Sequence, residues 1–296
     1  MRAVRFSEFG GPEVLHVEEV EEPHPGPGRI RVAVRAAGVN PFDNKVRRGM
    51  FGGELPKVPG LEAAGVVEEV GEGVEGAGAG DEVFGFAVGG AAAEHALLDD
   101  FARKPAGMPF EVAGGLPVAV ETAVRVLDEL GVADGHTLVV NGAAGGVGTA
   151  AVQFARARGA RVIGTASERN HDFLREIGAE PTTYGEGMVE RVRALAPGGV
   201  DRAFDTAGKG ALPELVELTG TPDHVMTIAD FNAAELGVRV STGAERAVRA
   251  LGQAAELFEA GGLRMPVART FPFEDAADAH RVSEEGHVRG KVVLVP

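Results

Sequence analysis

Val139-Val140-Asn141-Gly142-Ala143-Ala144-Gly145-Gly146-Val147-Gly148 is the stretch that decides the reading of this chain. The apolar run Thr137–Val140 before it predicts a buried strand, and Val147–Arg158 after it carries Ala151, Phe154 and Ala155 on one helical face. Glycine lets the backbone turn sharply from strand to helix and come close to a ligand with no Cβ in the way. The N-terminal N–H groups of the following helix, aided by the helix dipole, suit a pyrophosphate. The context is that of a dinucleotide fingerprint, G-x-G-x-x-G, with Ala143 in the first glycine place and Gly145 and Gly148 in the second and third. Ala144, Gly145, Gly146 and Val147 are therefore expected to face the cofactor phosphates.

Downstream, strands and helices alternate. Ala160–Gly164, Asp201–Asp205 and His224–Ile228 read as strands, and His171–Ile177, Met188–Leu195 and Arg246–Glu259 as helices. Such alternation predicts a parallel sheet with helices on both faces, hence an α/β chain. The second strand ends in Gly164-Thr165-Ala166-Ser167-Glu168-Arg169-Asn170. An NAD site generally places an acid there for the ribose 2′-hydroxyl. A hydroxyl and a guanidinium stand there instead, so Ser167 and Arg169 are expected to hold the 2′-phosphate of NADP(H), with Thr165 a further cofactor-binding residue. Glu168, turned inward, would instead favour NAD.

Upstream, the reading changes. Arg29–Val34 alternates polar and apolar residues, Ala63–Val70 is an apolar run, and Asp81–Gly85 follows a glycine-rich turn. Short strands at this spacing predict a small barrel before about residue 118. At the other end Val267–Phe273 and Lys291–Val295 read as strands around a helix, Glu274–Glu285. The last strand is positioned to return to the N-terminal domain.

Composition narrows the function. The 296 residues suggest two domains. A net charge of −15 opposes binding to nucleic acid or to anionic lipid. No cysteine is present, which excludes disulfides, thiol nucleophiles and thiolate metal sites. No apolar run approaches the roughly 18 residues of a membrane span, and Met1–Phe6 leads into Glu8 without an apolar signal core. A soluble, cytoplasmic protein is expected.

Several segments carry a family likeness in the right order. They are Ala37–Asp43, Pro59–Val67, Gly80–Val83, Lys104-Pro105, the glycine turn, Phe204–Gly208 and Gly290–Val293. Together they resemble the zinc-independent medium-chain dehydrogenase/reductases, in the branch similar to NADPH:quinone reductases. The resemblance implies a GroES-like catalytic domain from residues 1–118 with 265–296, a Rossmann domain over residues 119–264, and a homodimer. It implies hydride transfer from NADPH to a small electrophile, either a quinone or an α,β-unsaturated carbonyl. An enoyl-thioester reductase of the same superfamily, or a non-catalytic NADPH-binding protein, are the alternatives.

Individual residues follow from the likeness. Leu61 stands where zinc enzymes carry histidine, so no metal is expected, and Glu62 is expected to be structural. Lys45 occupies the place where many quinone-reductase-like proteins have tyrosine. Lys45 and Asn40 are the catalytic candidates, a proton source and an amide hydrogen-bonding group that also meets the cofactor. Asp43 is expected to fix their loop. Thr122, Tyr184, Thr206, Ala207, Ile228, Ala229 and Lys291 are further expected cofactor contacts. Phe42, Met50, Phe51, Phe86 and Phe231 are expected to line the substrate pocket.

Overall fold

A computed structural model describes residues 1–243 and 245–296. In chain order the strands and helices are β1 (Arg2–Arg5), β2 (His16–Glu19), β3 (Ile30–Val39), α1 (Pro41–Arg47), β4 (Glu62–Val70), β5 (Glu82–Val88), β6 (His95–Arg103) and α2 (Phe110–Gly114). Next come α3 (Pro117–Glu129), β7 (Thr137–Asn141), α4 (Gly146–Ala157), β8 (Arg161–Thr165), α5 (His171–Glu176), β9 (Glu180–Thr182), α6 (Met188–Leu195) and β10 (Arg202–Asp205). The chain ends with α7 (Leu212–Thr219), β11 (Val225–Thr227), β12 (Arg239–Val240), α8 (Arg249–Glu259), β13 (Val267–Pro272), α9 (Ala276–Glu285) and β14 (Lys291–Val295). Two compact units result. The first comprises Met1–Val118, Val248–Ala260 and Met265–Pro296, and the second Ala119–Ala247 and Gly261–Arg264. Helix α8 thus falls with the first unit.

In the first unit the alternation read at Arg29–Val34 becomes the opening of β3, with Ile30, Val32 and Val34 buried and Arg35 exposed. Strands β3 to β6 run antiparallel in order, and β6 returns to β3 through Ile30↔Leu98 and Ala33↔His95. The sheet therefore closes on itself around Ile30, Val32, Val34, Val67, Val83 and Leu98. Each such side chain removed from water contributes roughly 1.5–3 kcal/mol before entropy is counted. Beyond Arg35 the alternation stops and Ala36–Val39 are all buried. The reason is that β14 pairs antiparallel with this end of β3 (Val292↔Val39, Leu294↔Ala37), while β13 runs parallel to β14 on its outer side. A second apolar cluster, including Phe6, Val39, Phe271, Phe273, Val292 and Leu294, fills the space there.

The second unit is a six-stranded parallel sheet in the order β12-β11-β10-β7-β8-β9. Chain direction away from β7 reverses between β7 and β10, which is where open α/β sheets bind ligand, outside the carboxyl ends of the strands. The glycine turn leaves β7 at this place. Ala143 in the first glycine place is accommodated by a second glycine. A Cβ at Gly164 of β8 would lie 2.8 Å from the Ala143 Cβ and 3.2 Å from Leu174 Cδ1. The methyl of Ala143 therefore fits because residue 164 has none.

Gly164→Ala is expected to lower stability by about 1–3 kcal/mol through this overpacking. Adding Ala143→Gly should restore part of the loss, because the nearest clash is then gone. Thermal unfolding midpoints of the three chains check it, and no recovery in the double variant would contradict the packing account.

Candidate active site

Strand register in the first unit brings three distant residues together. Val292↔Val39 makes Asn40 and Lys291 the next residues along β3 and β14, and Ala37↔Ala63 does the same for Gly38 and Glu62 on β3 and β4. Asn40, Glu62 and Lys291 are all buried. Lys291 Nζ donates to Glu62 Oε1 at 2.9 Å and to Asn40 Oδ1. Asn40 Nδ2 donates to the same Glu62 oxygen at 2.8 Å. Glu62 Oε2 accepts the backbone N–H of Val118, the last residue of the unit's first segment, at 2.6 Å. The ammonium is thus neutralised by a buried carboxylate, the condition under which a buried charge is tolerated. Gly38 makes room for it, since a Cβ there would lie 2.1 Å from Glu62 Oε1.

Asn40 is also the N-cap residue of α1, with Pro41 in the first turn. Its backbone N–H donates to Asp43 Oδ2 at 2.7 Å, so the loop-fixing role expected of Asp43 is realised as a helix-capping contact. Burial pushes the Asp43 carboxyl up to about 7, with the nearby Glu62 carboxylate adding to the rise against the opposing N–H donors and Lys291. At the far end of α1, Arg47 is fully buried. It donates to Gly10 O at 2.6 Å and to His280 Nδ1 at 3.4 Å, and it pairs with Glu284. His280 accepts that bond as a neutral ring, and its burial, with the Arg47 charge beside it, lowers its pKa to about 4. Asn44 adds a bond to Ser283 Oγ at 3.0 Å, so α9 holds α1 at several points along its length.

In the second unit a buried polar belt crosses the carboxyl ends of four strands. Thr165 Oγ1 donates to Asn141 Oδ1 (2.6 Å), Asn141 Nδ2 to Asp205 Oδ1 (2.8 Å), and Thr227 Oγ1 to Asp205 Oδ2 (2.7 Å). Asp205 further accepts the N–H groups of Ala207 and Gly208, Thr227 those of Ala229 and Asp230, and Thr206 Oγ1 donates to Asn141 O at 2.7 Å. The belt holds the loops after β10 and β11 by their first residues. Nothing in the composition or periodicity of the chain announces it; the only signal is a polar residue at each strand end. Beside it Gly145 caps α4 in extended conformation, and a Cβ built there would meet only Gly142 O, at 3.5 Å. This open cradle under the first N–H groups of α4 fits a dinucleotide pyrophosphate.

The expected cofactor residues distribute unevenly. Ala144 is buried, while Gly145, Gly146 and Val147 are partly exposed at the mouth of α4. Thr165 is fully buried, its hydroxyl engaged within the belt and accepting Gly142 N–H at 3.2 Å. Ser167 is half-buried and accepts from Asn170 Nδ2 at 3.2 Å, and Glu168 and Arg169 are exposed beside it. Thr206, Ile228 and Ala229 are partly exposed at the ends of β10 and β11, and Ala207 is exposed. Thr122 is buried in α3, with its hydroxyl 3.4 Å from Glu121 Oε2, and Tyr184 is exposed beyond β9. Lys291, expected at the cofactor, is engaged with Asn40 and Glu62.

On the first unit, Lys45 lies five residues along α1 from Asn40, half-buried, and desolvation lowers its pKa. Phe42 and Phe51 stack with centroids 4.9 Å apart, and with Met50 they form an exposed apolar patch. Phe86 is instead buried within β5, and Phe231, exposed, belongs to the second unit. Among the described residues no group of three or more His, Asp or Glu side chains is arranged to hold a metal ion. Nor is any helix among them long and apolar enough to cross a membrane.

Comparisons with known proteins agree with this architecture. Residues 26–120 match the alcohol dehydrogenase GroES-like domain and residues 177–294 the zinc-binding dehydrogenase domain. A quinone oxidoreductase of Lama guanicoe is 32% identical over the whole chain and 97% of its own length. A crystal structure of an NAD-dependent alcohol dehydrogenase superposes with a TM-score of 0.89 at 32% identity, covering 100% of both chains. A mycobacterial protein complexed with NADPH gives 0.86 at 29% identity, again over 100% of each chain.

The Asp43 carboxyl supplies a pH test. An ordinary aspartate loses its proton near 3.8, whereas Asp43 in the folded chain keeps it to about 7. Between those values the native state binds the extra proton, so this group's contribution to stability falls as pH rises through the window and is lowest above 7. His280 acts oppositely: the unfolded ring takes up a proton below its ordinary 6.5, so stability rises with pH from about 4 to 6.5. Asp43→Asn, which keeps an acceptor for Asn40 N–H, is expected to raise the melting temperature at pH 8 relative to the wild type and to expose the His280 slope. A melting profile parallel to the wild type across the whole range would contradict the assignment.

Proposed function

The chain belongs to the medium-chain dehydrogenase/reductase superfamily, in its quinone-oxidoreductase-like branch, and from that premise we propose that it is an NADP(H)-dependent reductase. Its acceptor is a quinone or an α,β-unsaturated carbonyl, reduced without zinc. The observation that carries this reading is one chain with a dinucleotide-type turn at Gly145 and, on its other unit, a buried amide and ammonium gathered on Glu62, next to the Leu61 that stands where zinc enzymes carry histidine. Leu61 in the place of the histidine ligand and the absence of cysteine support a metal-free reaction. The domain division expected from the likeness, the homodimer and the cytoplasmic location belong to the same reading.

When bound, NADPH supplies the hydride. The protein's part is to orient the acceptor, exclude water and meet the negative charge that develops on its oxygen. Asn40 has one Nδ2 hydrogen beyond the bond to Glu62 and offers it to that oxygen. Lys45 supplies the proton that completes the reduction, and its desolvated ammonium gives that proton up more readily than an exposed lysine would. The stacked pair Phe42 and Phe51 provides a flat apolar surface suited to a planar acceptor. At the adenosine end, Ser167 and the exposed Arg169 guanidinium suit a 2′-phosphate.

Spectrophotometric turnover of NADPH with a quinone, an alkenal and a crotonyl thioester tests the reading. Turnover of the first or second supports it, turnover of the thioester alone makes the chain an enoyl-thioester reductase, and binding without turnover makes it a cofactor-binding protein. Arg169→Ala is expected to weaken NADPH by roughly 10- to 100-fold, the worth of a charge-assisted hydrogen bond, with little change for NADH. Equal losses for both coenzymes would contradict the phosphate role. Lys45→Met should lower turnover while coenzyme affinity, measured by fluorescence titration, stays unchanged.

A further inference from the structure

We propose that Lys291 and Glu62 are positioning residues which lock the Asn40 side-chain amide in a single orientation, aiming its remaining Nδ2 hydrogen at the acceptor oxygen. The inference rests on the proposed role of Asn40 and names what makes that role possible.

An asparagine amide can be turned by 180° at little cost unless its neighbours tell oxygen from nitrogen. Here both neighbours do. Lys291 Nζ carries donors and no acceptor, so the atom it bonds on Asn40 must be the oxygen. The Glu62 carboxylate accepts only, so the atom facing it at 2.8 Å must be the nitrogen. The flipped amide would set NH₂ against an ammonium and oxygen against a carboxylate, two repulsions in a buried site where charges are poorly screened. Glu62 is held from its other side, because its second oxygen accepts Val118 N–H at 2.6 Å, while Gly38 leaves the space in which it lies. The Lys291 stem packs closely over Gly115, where a Cβ would come within 3.1 Å of its own Cβ, and its ammonium is held by the bonds to Glu62 and Asn40. After these bonds Asn40 retains one donor, and the two charges have fixed its direction.

The fixing pair carries no net charge of its own. It depends on the closing strand: Lys291 lies 251 residues from Asn40 in the chain and reaches it only through the β14–β3 register.

The test is a cycle on steady-state turnover, with coenzyme affinity and circular dichroism recorded for every chain. Asn40→Ala is expected to lower kcat roughly 100-fold, the effect of losing one oxyanion donor. Lys291→Met combined with Glu62→Gln, which removes both charges together, is expected to lower kcat roughly tenfold or more with the NADPH Kd unchanged. In the Asn40→Ala background the same pair of substitutions should have no further effect on kcat, because the residue they act through is gone. Multiplying losses would overturn the positioning role while leaving the Asn40 reading intact. An Asn40→Ala chain with normal kcat would overturn the Asn40 reading itself. Lys291→Gln combined with Glu62→Gln, which keeps polar groups at both places and leaves neither charge unpaired, is the second variant should the first doubly substituted chain not fold. It too should lower kcat in the Asn40 chain and do nothing in the Asn40→Ala chain, and an equal effect in both would overturn the proposal.

Discussion

A buried ammonium must have a partner, and the Lys291–Glu62 pair is the contact on which the first unit's site turns. It exists only if β14 lies antiparallel to β3 in one register and β4 lies on the other side of β3 in another. A slip of one residue in either pairing would send these side chains to the opposite face of the sheet. The apolar residues guard that register: Val39, Val292 and Leu294 sit in one cluster and Ala37 and Ala63 in another. Packing thus determines where the charges meet, and the charges determine how Asn40 faces.

The second unit solves a related problem with hydrogen bonds alone. A parallel sheet ends in loops whose first N–H groups have no ladder partner, and the Thr165–Asn141–Asp205–Thr227 belt supplies acceptors for them. The loops that follow β10 and β11 are therefore held from their first residues, next to the turn that opens α4. Ala143 and Gly164 show the same economy at the level of one methyl group.

Much of this is legible in the sequence, because it is local. The glycine turn, the period-two alternation of β3 and the alternating strands and helices after residue 137 each lie within a few residues of sequence. The closing strand, the small barrel and the parallel sheet are legible in the same way, and family likeness identifies the last two as GroES-like and Rossmann. What escaped was long-range or short. Helix α1 has seven residues and little apolar periodicity, though Asn40-Pro41 is a helix-start signal that could have revealed it. Strands β9 and β12 have three and two residues, too few for a pattern. Glu62 was expected to be merely structural and Lys291 to meet the cofactor; their contact with Asn40 depends on two strand registers that no local window contains. The belt escaped for the same reason, as its four polar residues come from four separate strands.

The proposed reaction is hydride transfer from NADPH in a site that needs no metal. Its most direct test is single-turnover oxidation of NADPH deuterated at the transferring position of the nicotinamide, using enzyme stripped exhaustively with a chelator and a quinone or enone as acceptor. The account predicts a rate slowed by the deuterium and unaltered by chelation. A stripped enzyme that loses its turnover and regains it with zinc, or a rate indifferent to the isotope under these conditions, would contradict it.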